Sequence, residues 1–218
     1  MKVLAISCAD RLLSVSLNID GEIITKRQPS NRDQNNSVLV LVSDLLSETQ
    51  MVTDEIDAVA YGKGPGSYTG LRIAAGVAQG IAFGSEIPAL PVSNLAAIAQ
   101  GLSHDKAFIV MDAKRNKLFV GAYERNPNGI VEPVCEDGLF EIQDVQLIGK
   151  NWKGAGNGWD LRHQELEQRF ADQVDSWEAN RQPCAEQISI LGMNYLRCDL
   201  GVDAYLALPN YLSPYFSN

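Results

Sequence analysis

The sequence predicts an α/β protein built from a βββαβα-type unit that occurs twice. Two observations predict it. Period-two runs of β-branched and aliphatic residues lead the chain, and apolar stretches of helical length then alternate with short buried strands. Further on, Ile109-Val110-Met111-Asp112-Ala113-Lys114 repeats the pattern of Leu4-Ala5-Ile6-Ser7-Cys8-Ala9, an apolar strand meeting a polar turn. A weak internal duplication explains that repeat.

The elements follow in order. Residues 2–8 and 12–19 alternate as strands, Asp20-Gly21 is a tight hairpin signal, and 22–26 is the third strand. A polar stretch leads to a helix at 35–50. Residues 58–61 form a short buried strand, 62–69 a Gly-rich turn, and 70–84 a second helix. An extended run at 88–92 precedes Ser93, which caps a third helix over 94–102. The pattern restarts with strands at 107–113, 118–125 and 130–134, the last two separated by the turn Asn126-Pro127-Asn128-Gly129. The second copy continues with helices at 161–171 and 185–200, and the chain ends in a Pro- and Tyr-rich tail. A three-strand meander followed by alternating helices and strands, occurring twice, suggests the actin-like, sugar-kinase-like (ASKHA) two-lobed fold. The expected lobes are 1–104 and a smaller, less regular 105–218, which leaves open a tail that packs back on the first lobe.

Composition narrows the function. The chain has 218 residues, 45% hydrophobic and 21% charged, enough for a real core. Its net charge of -9 argues against unaided nucleic-acid binding, because a phosphate-binding surface needs excess Lys and Arg. No apolar run approaches the roughly 20 residues of a membrane helix, and Met1 to Ile6, broken by Ser7, Asp10 and Arg11, reads as a strand and not a signal peptide. Cys8, Cys135, Cys184 and Cys198 form no CxxC pair and no zinc spacing. They read as reduced thiols, which makes the expected compartment the cytoplasm.

The Gly-rich run Gly62-Lys63-Gly64-Pro65-Gly66-Ser67-Tyr68-Thr69-Gly70-Leu71-Arg72 follows a strand and opens a helix, the context of an anion site. It matches neither the Walker loop nor the dinucleotide fingerprint. Two readings remain: a phosphate cradle, or a tight turn in which Ser67 or Thr69 caps the helix. The helix itself carries one stripe of Ile73, Val77 and Ile81, another of Gly76, Gly80 and Gly84, and a third of Ala74, Ala78 and Ala82. Each Gly costs about 1 kcal/mol relative to Ala in a helix interior, so several imply a close backbone approach. The preceding helix places Val38, Leu39, Leu41, Val42, Leu45 and Leu46 over an arc wider than one core stripe. Two such helices in succession point to a shared apolar face for a second protein. The expected interface residues are Val38, Leu41, Val42, Leu45, Ile73, Gly76, Val77, Gly80, Ile81 and Gly84.

Candidates for chemistry are sparse. His104 and His163 are the only histidines, in polar settings and far apart, so neither a metal site nor a Ser–His arrangement around Ser67 is expected. Asp10 and Asp112 sit at the two strand turns where an actin-like ATPase keeps carboxylates for Mg²⁺, and turn chemistry explains them equally. With Gly64, Gly66 and Ser67 they are the weak candidates for cofactor contact. No catalytic residue and no metal ligand is assigned. Gly154-Ala155-Gly156-Asn157-Gly158 lines a cleft or serves as a flexible connection.

These residues carry a resemblance to the TsaB (also called YeaZ) family, the bacterial partner proteins of threonylcarbamoyladenosine (t6A) modification of tRNA. It rests on Gly64 to Arg72, with support from Leu4-Ala5-Ile6-Ser7, Ala78-Gln79-Gly80, Pro91-Val92-Ser93-Asn94-Leu95 and Met111-Asp112-Ala113. It is strong over about the first 125 residues and weak beyond. The resemblance implies an actin-like fold without a working active site. It implies a TsaD-like catalytic partner bound through the two helices above, a TsaE-like ATPase in the same complex, and self-association when the chain is alone. It implies that tRNA is met only indirectly and that ATP or ADP, if bound, sits at the joint surface with the partner. Alternatives are a stand-alone actin-like ATPase or kinase and a glycoprotease-like hydrolase. The chain departs from the family pattern at Ile6-Ser7-Cys8, at Asn35-Asn36-Ser37 and at Tyr211-Leu212-Ser213.

Overall fold

The structure, a computed structural model, describes residues 1–8, 11–30 and 34–212, with the side chains of 34–36 also outside the description. In chain order the strands β1 (Lys2–Ser7), β2 (Leu12–Ile19) and β3 (Glu22–Pro29) lead to α1 (Gln34–Glu48), β4 (Ala58–Gly64), α2 (Tyr68–Gly84), β5 (Ala89–Ser93) and α3 (Asn94–Gln100). There follow β6 (Lys106–Asp112), β7 (Lys117–Arg125), β8 (Val131–Pro133), β9 (Gly138–Glu141), β10 (Trp152–Ala155), α4 (Asn157–Phe170), β11 (Val174–Glu178) and α5 (Ala185–Arg197). Among the described residues no helix is long and apolar enough to cross a membrane.

The first compact unit comprises Met1–Ala97 and Pro183–Tyr211. Its sheet runs β3-β2-β1-β4-β5, antiparallel through the meander and parallel from β1 to β4 and β5. Val3, Leu4, Ala5 and Ile6 are all fully buried, as a strand covered on both faces requires. Leu4, Ile6, Val15 and Val59 share one core with Val38, Leu41 and Leu45 of α1 and Ala74 and Ala78 of α2. The opposite face receives α5. A Cβ on Gly192 would lie 2.7 Å from the Ala60 Cβ and 3.4 Å from Val3 Cγ1, so that glycine lets the helix lie close on the sheet. Ser14 Oγ of β2 accepts from the Ala185 N–H at 2.9 Å, satisfying an orphan donor at the start of α5.

The second compact unit is built on Ile98–Gln182. Its sheet runs β11-β10-β6-β7-β8, with β9 also paired to β7. The order repeats that of the first sheet: an antiparallel meander on β6, then parallel β10 and β11 joined through α4. A counterpart of α1 is replaced by the 3₁₀ turn Ile142–Asp144. Trp159 and Phe170 of α4 pack on Phe108, with ring centroids 6.1 and 4.9 Å away. Gly154 makes room for this, since a Cβ there would lie 2.5 Å from the Trp159 ring. The duplicated actin-like topology is therefore present in both sheets.

Three differences from the sequence reading concern the second half. Strands β9, β10 and β11 have no counterpart in that reading. The helix at 185–200, given to the second copy, lies on the first sheet. The division expected at 104 falls between Ala97 and Ile98, and the segment Pro183–Tyr211 returns to the first unit.

Candidate functional site

The Gly-rich turn is tightly packed by the chain's own atoms. Ser67 is the cap of α2, its Oγ accepting from the Gly70 N–H at 3.2 Å. A Cβ on Gly62 would collide with Oδ1 of Asn94, whose Nδ2 donates to the Pro65 carbonyl at 2.8 Å and so fixes the turn from beneath. A Cβ on Gly70 would collide with the Cys8 carbonyl, and one on Gly64, at φ 130°, with the carbonyl of Asn210. Burial pushes the Cys8 thiol up to about 12 and raises the Tyr61 hydroxyl as well. Gly66 is half-buried and Ser67 is exposed. The space a side chain would need at Gly64 and Gly70 is thus taken by backbone carbonyls.

The glycines further along α2 behave in the opposite way. Added Cβ atoms on Gly76, Gly80 and Gly84 would meet nothing within 4 Å. All three are exposed, and beside them Phe83 is 80% exposed. Ile73 is buried, and Val77 and Ile81 are half-buried against the core. The structure divides the residues of α1 as well. Val38, Leu41, Val42 and Leu45 lie in the core of their own unit, and the apolar residues turned outward are Leu39 and Val40, 52% and 56% exposed. A helical wheel shows an apolar arc but not which part of it the sheet takes, so it did not single out these two.

A strap formed by the last described residues of the first unit runs beside α2. Val202 and Ala89 exchange N–H···O bonds at 2.9 Å in both directions. The Tyr61 hydroxyl donates to the Leu208 carbonyl at 3.1 Å, and the Asn210 N–H to the Lys63 carbonyl at 2.6 Å. The strap's 3₁₀ turn, Ala204–Leu206, forms with α2 an open groove of about 490 Å³ lined by Gly76, Gln79, Gly80, Phe83, Ala204 and Tyr205. Tyr205 is 71% exposed. The sequence leaves open a tail that packs back on the first lobe, but its spacing does not place this strap. Its Pro- and Tyr-rich composition was visible, but its anchors are mostly backbone groups.

The weak candidates for chemistry are held by structural contacts. Asp10 lies outside the described residues. The Asp112 N–H donates to Asn157 Oδ1 at 2.9 Å, and Gly156 and Gly158 press on Val110, so 154–158 is a packed strand-to-helix turn. In the adjoining turn Lys114, Arg115 and Asn116 all have positive φ. Asn116 accepts from Arg162 at 3.0 Å, where α4 departs from helical geometry. His104 Nδ1 bonds within its own turn to the Lys106 carbonyl at 3.0 Å, and His163 stacks on Trp177 at 5.9 Å. Among the described residues no three His, Cys, Asp or Glu side chains cluster to hold a metal.

The geometry presents a surface: an exposed glycine row flanked by Phe83 and Tyr205. Residues 27–205 match the family model described as "TsaD: tRNA N6-adenosine threonylcarbamoyltransferase". The chain is 34% identical over 168 residues to the tRNA threonylcarbamoyladenosine biosynthesis protein TsaB of Escherichia coli, covering 73% of this chain and 72% of that one. It is 32% identical over 175 residues to the TsaB protein of Haemophilus influenzae, covering 73% of each. The solved structure of YeaZ from Pseudomonas aeruginosa superposes with a TM-score of 0.87 at 29% identity, over 97% of this chain and 99% of that one. With a family model spanning most of its length and relatives matched over nearly three quarters of theirs, the chain belongs to the TsaB (YeaZ) family of tRNA threonylcarbamoyladenosine biosynthesis proteins, within the wider TsaD type.

Proposed function

We propose that this chain is a non-catalytic assembly subunit of the t6A-forming complex, and that the outward face of α2 receives the TsaD-like catalytic subunit. One observation carries the reading. Gly76, Gly80 and Gly84 each cost helix stability, about 1 kcal/mol relative to Ala, and nothing among the described residues needs the space they leave. At Gly62, Gly64 and Gly70, by contrast, the space is filled by the chain's own atoms. A glycine row that only another molecule can fill fits a close helix contact with a partner. Phe83 and Tyr205 line the groove beside it, and Leu39 and Val40 add exposed apolar surface on α1.

In this reading the chemistry belongs to the partner, tRNA is met through the partner, and a TsaE-like ATPase joins the same cytoplasmic complex. Any ATP or ADP lies at the joint surface and not on this chain alone. Without the partner, two copies associate through the same face.

The test is Gly80→Leu, which adds side chain into open space and leaves the core untouched. Binding to the TsaD-like subunit, measured by calorimetry, is expected to be lost while the melting temperature holds or rises. Unchanged affinity sinks the reading. A stand-alone ATPase would instead show Mg-ATP binding and turnover on the isolated chain.

A further inference from the structure

The outward row of α2 carries a charge at one position. Its exposed residues are Tyr68, Thr69, Arg72, Gly76, Gly80, Phe83 and Gly84, and only Arg72 carries charge. Arg72, Gly76 and Gly80 recur at four-residue spacing and so share one face of the helix.

Arg72 is held in place without an acid. Its guanidinium lies 4.0 Å from the centroid of the Tyr68 ring, and its Nε donates to the Tyr211 hydroxyl at 2.9 Å. Tyr211 stacks on Tyr68, centroids 5.1 Å apart at 28°. Tyr211 in turn follows Asn210, which the Lys63 carbonyl pins at the Gly64 turn. Among the described residues Arg72 takes part in no ion pair, so its charge is held by aromatic and hydroxyl groups alone.

The aromatic clamp holds the guanidinium fork by its face and its Nε. That fork matches a carboxylate in a bidentate pair. A side chain already ordered by its neighbours loses little further freedom when it binds. Arg and Tyr are also the residue types that dominate interface energetics.

We propose that Arg72 is the charged anchor of the docking face, pairing with a carboxylate of the TsaD-like partner, and that Tyr211 positions it. This rests on the assembly reading above. The strap is then part of the interface machinery, because its last turn sets the geometry of the anchor.

The experiment measures the affinity of the full chain for the TsaD-like subunit at low and at high salt. The variants are Arg72→Gln, Arg72→Lys and Tyr211→Phe, with Gly80→Leu as the reference. Arg72→Gln should weaken binding about tenfold or more at low salt and flatten the salt dependence. Arg72→Lys should recover the salt dependence but only part of the affinity, because a point charge replaces the fork. Tyr211→Phe should weaken binding in the same direction by less, since it removes one acceptor and keeps the ring.

Wild-type affinity and salt dependence in Arg72→Gln, with binding lost in Gly80→Leu, overturns the anchor and leaves the docking face standing. Wild-type binding in Gly80→Leu overturns the docking face itself, and the anchor with it. Unchanged partner affinity in Arg72→Gln with loss of Mg-ATP binding reassigns Arg72 to a phosphate and also overturns the proposal.

Discussion

The carbonyl of Asn210 occupies the space that a side chain on Gly64 would need. This contact joins the end of the strap to the Gly-rich turn, although the two lie far apart in sequence. It also separates two kinds of glycine in one short stretch of chain: those the protein fills itself and those it leaves open.

The two kinds should respond oppositely to alanine. Gly64→Ala places a Cβ against the Asn210 backbone and adopts a φ of 130° that L residues rarely take. The expected loss is about 2–4 kcal/mol in a urea melt. Gly76→Ala meets open space in a helix and should gain up to about 1 kcal/mol. Equal effects at the two positions would contradict the assignment.

Arg125 gathers the carbonyls that end α3. It donates to the Leu102 carbonyl at 2.7 Å and to the Gly129 carbonyl at 2.6 Å. Arg125→Ala leaves these acceptors short of a charged donor and should cost about 1–3 kcal/mol. Arg125→Lys should recover little, because one ammonium cannot serve both sites. Chemical denaturation of the three proteins checks this.

Cysteine chemistry should follow burial. Cys135 and Cys198 are exposed, whereas Cys8 and Cys184 are buried. A thiol reagent should therefore label the first two quickly in the native protein and the second two only on unfolding.

Alkaline stability should depend on Cys8. Its thiol, at about 12 in the folded state against an ordinary 9.0, stays protonated where the unfolded chain has already lost the proton. The unfolded state then binds fewer protons, so stability falls as pH rises from about 9 towards about 12. Cys8→Ala should flatten part of that fall in denaturant midpoints taken across the range, and Tyr61→Phe a further part, since burial raises that hydroxyl too.

The sequence made the first half of the fold legible because local pattern decides it. Period-two runs gave β1 and β2, helical arcs gave α1 and α2, and Ser67 was one of two caps in view. The second half yields less to such reading. Strands β9 to β11 are short, and β10 and β11 are built around Gly154, Trp152 and Trp177, so they carry little alternation. Helix α5 has a good apolar stripe, but nothing local says which sheet it returns to. The proposed docking face was legible only in part. The glycine row is written in the spacing of Gly76, Gly80 and Gly84. The outward apolar residues of α1, the groove wall at Tyr205 and the clamp of Tyr211 on Arg72 depend on burial and on long-range backbone contacts that spacing does not encode.

The most direct test is the affinity of the Gly80→Leu chain for the TsaD-like subunit, taken together with its melting temperature. The account predicts a protein at least as stable as the wild type that no longer binds. A stable Gly80→Leu protein that binds with wild-type affinity would contradict it.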